Sequence, residues 1–179
     1  MKLFTVLLIV IPTLSFSQNG LTYSEIIKQD SVSKEELYDR AALWFSVTFN
    51  SSSDVIKLQG KEQGQIIGKA IIPYNPTVFI CSDLTRGYIR YTIKIFVKEE
   101  RYKYEIADFI HHPNSNRGYG MNLITTEDEC PYKHKNTSKK WNDKVWNDIK
   151  NQINNSISPL VESLKTDMST VTETQNNDW

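Results

Sequence analysis

The chain reads as one α+β domain: a curved antiparallel sheet, apolar on one face, with a long C-terminal helix lying across that face. Three observations predict it. Residues 88–97 and 102–110 alternate apolar and polar, and in one register their apolar positions and opposite charges fall together. Residues 145–164 carry an apolar stripe at helical spacing. A capping box at Ser33 opens an earlier helix. The element order is β-α-β(4)-α.

Ahead of the domain stands a leader. Lys2 gives a positive start, Leu3 to Ile11 is an almost unbroken apolar run, and Pro12 closes it. Ser15-Phe16-Ser17 then puts small residues where a signal peptidase inspects them, with Gln18 as the first mature residue. The run is about half the ~20 residues that a membrane-crossing helix needs, so cleavage is expected and no integral membrane segment remains after it. Export to the periplasm or medium follows. Residues 1–17 are thus a signal peptide, 18–165 the domain, and 166–179 a Ser/Thr/Asn-rich tail with little to bury, expected to be disordered.

Leu21 to Lys28 alternates as a first strand should. In Ser33-Lys34-Glu35-Glu36, Ser33 can accept from the Glu36 amide while Glu36 reaches back, and Val32 with Leu37 forms a hydrophobic staple. Leu37, Ala41, Trp44, Phe45 and Thr48 recur at helical spacing until about Phe49, where Asn50 to Ser53 ends the helix. Asp54 to Gln59 and Gln65 to Ile72 are strands about a turn at Gly60 to Gly64. Pro73 and Pro76 should stop the second, since neither can donate to a ladder.

From Tyr88 to Val97 one face carries Ile89, Tyr91, Ile93, Ile95 and Val97. A two-residue turn at Glu99-Glu100 sets Val97 against Tyr102, Ile95 against Tyr104, Ile93 against Ile106 and Ile89 against Ile110, and brings Lys94 to Glu105. Glu-Glu is not a favoured hairpin turn. A long irregular stretch runs from His111 to Asn136, with a short strand around Tyr119 to Thr125. Thr137-Ser138 begins the last helix, whose stripe is Val145, Trp146, Ile149, Ile153, Ile157, Leu160, Val161 and Leu164. Pro159 inside it predicts a kink or restart near Ser158.

Composition narrows the function. The chain holds 21 basic and 21 acidic residues, and losing Lys2 with the leader leaves 20 against 21, a net charge of −1. Such balance gives no general pull toward nucleic acid or anionic lipid, although a local patch is compatible with it. Cys81 and Cys130 would meet an oxidising compartment, where a disulfide between them could close a long loop; two separate thiols are the alternative.

The chain resembles the bacterial domain-of-unknown-function 4468 family, mostly exported proteins with a TBP-like fold, similar to that of the TATA-box-binding protein. The resemblance rests on Lys34 to Tyr38 leading to Trp44-Phe45, on Ile67-Gly68-Lys69 with Pro73-Tyr74, on Gly87 to Ile93, and on Arg101 to Tyr104. It continues in Asp108 to His111, Cys130-Pro131-Tyr132, and Ser138 to Trp141 with Trp146. It implies fold and export and no activity. The DNA-binding use of the open sheet in the TATA-box-binding protein is not expected here, because export removes the protein from the chromosome.

No residue set announces chemistry. Asp108 falls on the apolar face opposite Tyr91, as a buried acid, a structural hydrogen-bond partner, or a bulge turned outward. His111 and His112 point to opposite faces of a strand and cannot share one ion. Cys130 and His134 stand four apart across Pro131, without a third orienting group or oxyanion motif for a Cys/His enzyme. Only a scattered set of Cys81, Cys130, His134 and one of the paired histidines could serve zinc, so no metal or other cofactor is expected. Trp44, Trp141 and Trp146 read as core, and Glu127-Asp128-Glu129 as solvated, without calcium-loop spacing.

The expectation is therefore a non-catalytic binding or interaction module of the cell envelope, with an unidentified protein or small ligand as partner and no nucleic acid. Its surface is the open sheet face with the long loop: Arg90, Phe96, Lys103, Asp108, His111, His112 and Tyr119. The alternative is carriage of a small apolar ligand between sheet and C-terminal helix.

Overall fold

The computed structural model describes residues 19–49, 55–78 and 82–170. The leader, Cys81, the Asn50 to Ser53 helix terminator and residues 171–179 lie outside the described residues. Among those described, nine elements follow in order: β1 (Tyr23–Lys28), α1 (Lys34–Thr48), β2 (Ile56–Gly60), β3 (Gln65–Tyr74), α2 (Ser82–Thr85), β4 (Gly87–Lys98), β5 (Arg101–Pro113), β6 (Asn122–Leu123) and α3 (Lys139–Ser169). The strands form one antiparallel six-stranded sheet in the order β1-β5-β4-β3-β2, with β6 on β5 beyond the end of β1. This is the α+β sheet with a long C-terminal helix that the patterning predicts.

Ser33 caps α1, its hydroxyl accepting from the Glu36 amide at 3.2 Å, and Ser138 caps α3 in the same way, accepting from the Trp141 amide at 3.2 Å. The buried side of α1 carries Leu37, Tyr38, Ala41, Trp44 and Phe45. Phe45 sits directly over β3, where a Cβ at Gly68 would come within 2.8 Å of its ring. The β2–β3 turn closes on Gly64 at φ +64, a backbone conformation that glycine adopts without strain.

The β4–β5 hairpin keeps the expected register from its turn to its middle: Val97 faces Tyr102, Ile95 faces Tyr104, Ile93 faces Ile106 and Lys94 faces Glu105. The unfavourable Glu99-Glu100 turn is held from outside. The Gln29 amide donates to the Glu100 carbonyl at 2.8 Å, the Glu100 amide donates to the Val32 carbonyl, and the Glu99 carboxylate accepts from the Lys34 amide at the start of α1. The expected Ile89–Ile110 pairing does not form, because the register shifts between Arg90 and Thr92 and Ile89 faces His111 instead. Asp108 and Phe109 together oppose the single residue Tyr91, one residue more than a regular ladder holds, with Asp108 at φ +59.

Three further expectations are corrected. Pro73 does not stop β3, which runs to Tyr74; β2 pairs only as far as Gly68, so Pro73 lies where no ladder partner is needed on the outer side. The irregular stretch starts after Pro113, since His111 and His112 pair with Ile89 and Tyr88 inside β5. Of the kink or restart expected near Ser158, the restart is absent: helix α3 continues through Pro159 and ends at Ser169, beyond the boundary expected at 165. Pro159 is exposed, so the bond it cannot make is lost on the solvent side, and Met168 is fully buried, which gives the last turn something to pack.

Both long helices cover the same sheet face. Trp44, Phe45, Tyr74, Tyr102, Phe109 and Trp146 are fully buried there, with the α3 stripe from Val145 to Met168 packed on them. Polar ties pin the layers: Arg40 donates to the Met168 carbonyl at 2.8 Å, Lys165 pairs with Glu25 at 2.9 Å, and the Tyr74 hydroxyl donates to Asp148 at 2.7 Å.

Candidate functional site

The other sheet face carries no helix among the described residues, and strand register fixes what it presents. Across the sheet lie Lys28, Arg101 and Lys98 in one row; Ile26, Lys103, Phe96 and Gln65 in the next; then Ser24, Glu105, Lys94, Ile67 and Leu58. Beyond them come Ala107, Thr92 and Lys69, then Ile110, Arg90 and Ile71, and last His112, Tyr88 and Pro73. The strands β1, β3, β4 and β5 thus put Lys28, Lys69, Arg90, Lys94, Lys98, Arg101 and Lys103 on this face. Glu105 and the bulge residue Asp108 are the carboxylates beside them, and Glu99 and Glu100 at the turn are engaged by the Lys34 and Ser31 amides.

Glu105 is shared: Lys94 reaches it at 2.8 Å and Lys103 at 3.2 Å. Those hydrogen bonds hold its carboxyl below the usual range, and the Glu105 hydrogen bond raises Lys94. Lys28, Lys69, Lys98 and Arg101 form no ion pair among the described residues. At the far end, Arg90 donates to His112 Nε2 at 3.2 Å and His112 stacks on Tyr88 at 5.2 Å between centroids. Burial first, then the Arg90 charge, push the His112 pKa down, so its ring accepts as the neutral form. Between the charges stand Ile26 at 66% exposure and Ile71 at 60%.

The seven residues expected to form the site separate into groups. Arg90, Phe96 and Lys103 share the open face as the alternation predicts, and His112, expected in the loop, joins them from β5. Asp108 is exposed in the bulge, which is the outward-turned alternative of its three readings; it is neither a buried acid nor a partner of Tyr91 on the apolar face. His111 points into the core with 1% exposure: Nε2–H donates to the Thr85 carbonyl at 2.9 Å and Nδ1 accepts from the Met121 amide at 3.0 Å. Both ring nitrogens are used, so His111 leaves the binding set. Tyr119 is half-buried in the loop, stacked on His134 at 4.7 Å and donating to the Lys135 carbonyl, apart from the other candidates.

The remaining candidates are structural. The Cys130 thiol lies 3.5 Å from the Tyr132 carbonyl, and burial pushes its pKa up, opposite to an activated nucleophile. Cys81, with which a disulfide is one of two alternatives, is outside the described residues. Among the described residues no three His, Cys, Asp or Glu side chains converge to hold a metal ion, and no helix is long and apolar enough to cross a membrane. Trp44 and Trp146 are core, with Trp146 Nε1 donating to the Glu127 carbonyl at 2.8 Å; Trp141 is half-buried. A broad cleft runs between Thr77 and the first half of α3, but Asp148 in its wall is committed to Tyr74, Thr77 and Gln152.

Lys28, Lys69, Lys98, Arg101, Ile26 and Ile71 are not singled out by the sequence patterning. The signal they carry is parity: each takes the same face as Lys94 once β1 and β3 are assigned as neighbours of β5 and β4.

An open antiparallel sheet backed on one side by helices defines a TBP-like α+β protein. Residues 23–112, half of the chain, match the family described as a domain of unknown function (DUF4468) with TBP-like fold, and the chain belongs to that family. It is similar to a TBP-like protein from Parabacteroides distasonis at 15% identity and a TM-score of 0.55, covering 82% of this chain and 93% of that one. A DUF4468 family protein from Bacteroides ovatus is similar at 12% identity and a TM-score of 0.57, covering 84% and 87%. Both likenesses concern the fold. No curated protein matches the chain.

Proposed function

We propose that this protein is an exported, non-catalytic binding module of the cell envelope whose contact surface is the open sheet face. The observation that carries the reading is the sorting of side chains: cations and exposed isoleucines gather on the helix-free face, while the other face is a filled core. Ile26 and Ile71 add exposed apolar surface among the cations of this face. The leader supports export. Carriage of a small apolar ligand between sheet and α3 would have to displace Trp44, Phe45, Tyr102 or Trp146 from full burial, and is the weaker reading.

A photo-crosslinking residue placed at Ile71, and in a second variant at Glu162 on the solvent side of α3, tests the surface in cells producing the full chain. Crosslinks at position 71 and not at 162 are expected. Equal yields, or yields only at 162, contradict it. N-terminal sequencing of the envelope-associated protein should begin at Gln18; an intact Met1 would contradict export by cleavage.

A further inference from the structure

We propose that the open sheet face seats this protein on an anionic lipid surface, cations against headgroup phosphates and isoleucines entering the headgroup layer. The proposal rests on the open face being the contact surface and narrows its occupant to one chemistry.

Charge is the first reason. Lys28, Lys69, Lys98 and Arg101 have no ion pair among the described residues, and Glu105 is already neutralised by Lys94 and Lys103. The two long helices on the opposite side carry seven cations and seven carboxylates, so an anionic plane draws in the open face without a matching pull on the helical side.

Composition is the second. Ile26 stands in the row with Lys103, and Ile71 in the row with Arg90. A soluble polyanion gains nothing from isoleucines at 66% and 60% exposure, and protein interfaces are depleted in lysine. Lysines alternating with exposed aliphatics match surfaces that lie in a membrane interface. The exposed Leu43 and Val47 of α1 do not repeat the pattern, since they line a cleft with Asp167 and with Arg40, whose guanidinium is committed to Glu36 and the Met168 carbonyl.

The test is co-sedimentation of the chain from Gln18 with phosphatidylglycerol-containing vesicles and with pure phosphatidylcholine vesicles. Binding at least about tenfold tighter to the anionic vesicles is expected, with release at about 0.5 M salt. Lys69→Gln with Lys98→Gln should weaken it about 25-fold, near fivefold per charge. Ile71→Ser should weaken it at unchanged charge, and Lys140→Gln with Lys144→Gln on α3 should not. No preference for anionic vesicles, an equal effect of the α3 pair, or equally tight binding to heparin or duplex DNA would overturn the lipid assignment. If vesicles fail while crosslinks at position 71 persist to a protein, the lipid assignment falls and the contact surface stands. Absence of both removes the surface as well.

Discussion

His111 gives its Nε2 proton to the carbonyl of Thr85 at 2.9 Å, which joins β5 to the short helix α2 inside the core. The same ring accepts the Met121 amide through Nδ1, so only the neutral tautomer satisfies both bonds. Burial lowers its pKa from 6.5 to about 4. The unfolded chain therefore takes up a proton near pH 6.5 that the folded protein refuses until about pH 4. Stability is fully present above 6.5 and falls through that window by up to about 3 kcal/mol. Urea denaturation between pH 7 and pH 5 should show the slope, and His111→Gln should flatten it. An unchanged slope in the variant would assign the loss to other groups.

Arg40 is 5% exposed, donating Nη1–H to the Met168 carbonyl and Nε–H to Glu36 at 2.9 Å. It thereby caps the last turn of α3 from α1. Arg40→Met leaves that carbonyl without its donor and should cost about 1–3 kcal/mol in urea denaturation, with faster amide exchange in residues 165–169. Wild-type exchange there would deny the clamp.

Asp108 holds φ +59, which asparagine tolerates and β-branched residues do not. Asp108→Asn should stay within about 0.5 kcal/mol of wild type, while Asp108→Val should lose about 1–2 kcal/mol. A large loss in the asparagine variant would mean that the carboxylate itself is structural.

Pro159 is exposed inside a continuous helix, so its cost is backbone alone. Pro159→Ala should raise stability by about 1–3 kcal/mol, read as a higher Tm. A lower Tm would show that the proline is needed for the helix's fit on the sheet.

The sheet and its register near the hairpin are legible in the sequence because Val97, Ile95 and Ile93 and their partners are apolar at every second position, with Lys94 and Glu105 as a check on the other face. The bulge is not, although a charged Asp108 at an apolar position is its trace; an insertion there flips parity for the rest of the strand and moves His111 into the core. The full length of α3 is hidden because Met168 lies in a polar stretch and its value depends on Arg40, 128 residues away. A net charge near zero conceals the basic face. Balanced totals say nothing of how strands sort charges, and only the pairing of β1 with β5 and β3 with β4 brings Lys28 and Lys69 beside Lys98 and Arg90.

Lysine acylation mapped by mass spectrometry, on intact envelopes and on the purified protein, tests the role of the open face most directly. Lys28, Lys69 and Lys98 should be protected in the envelope and reactive once purified, while Lys140 and Lys144 on α3 react equally in both. Protection of the α3 lysines with Lys69 and Lys98 still reactive would contradict the account.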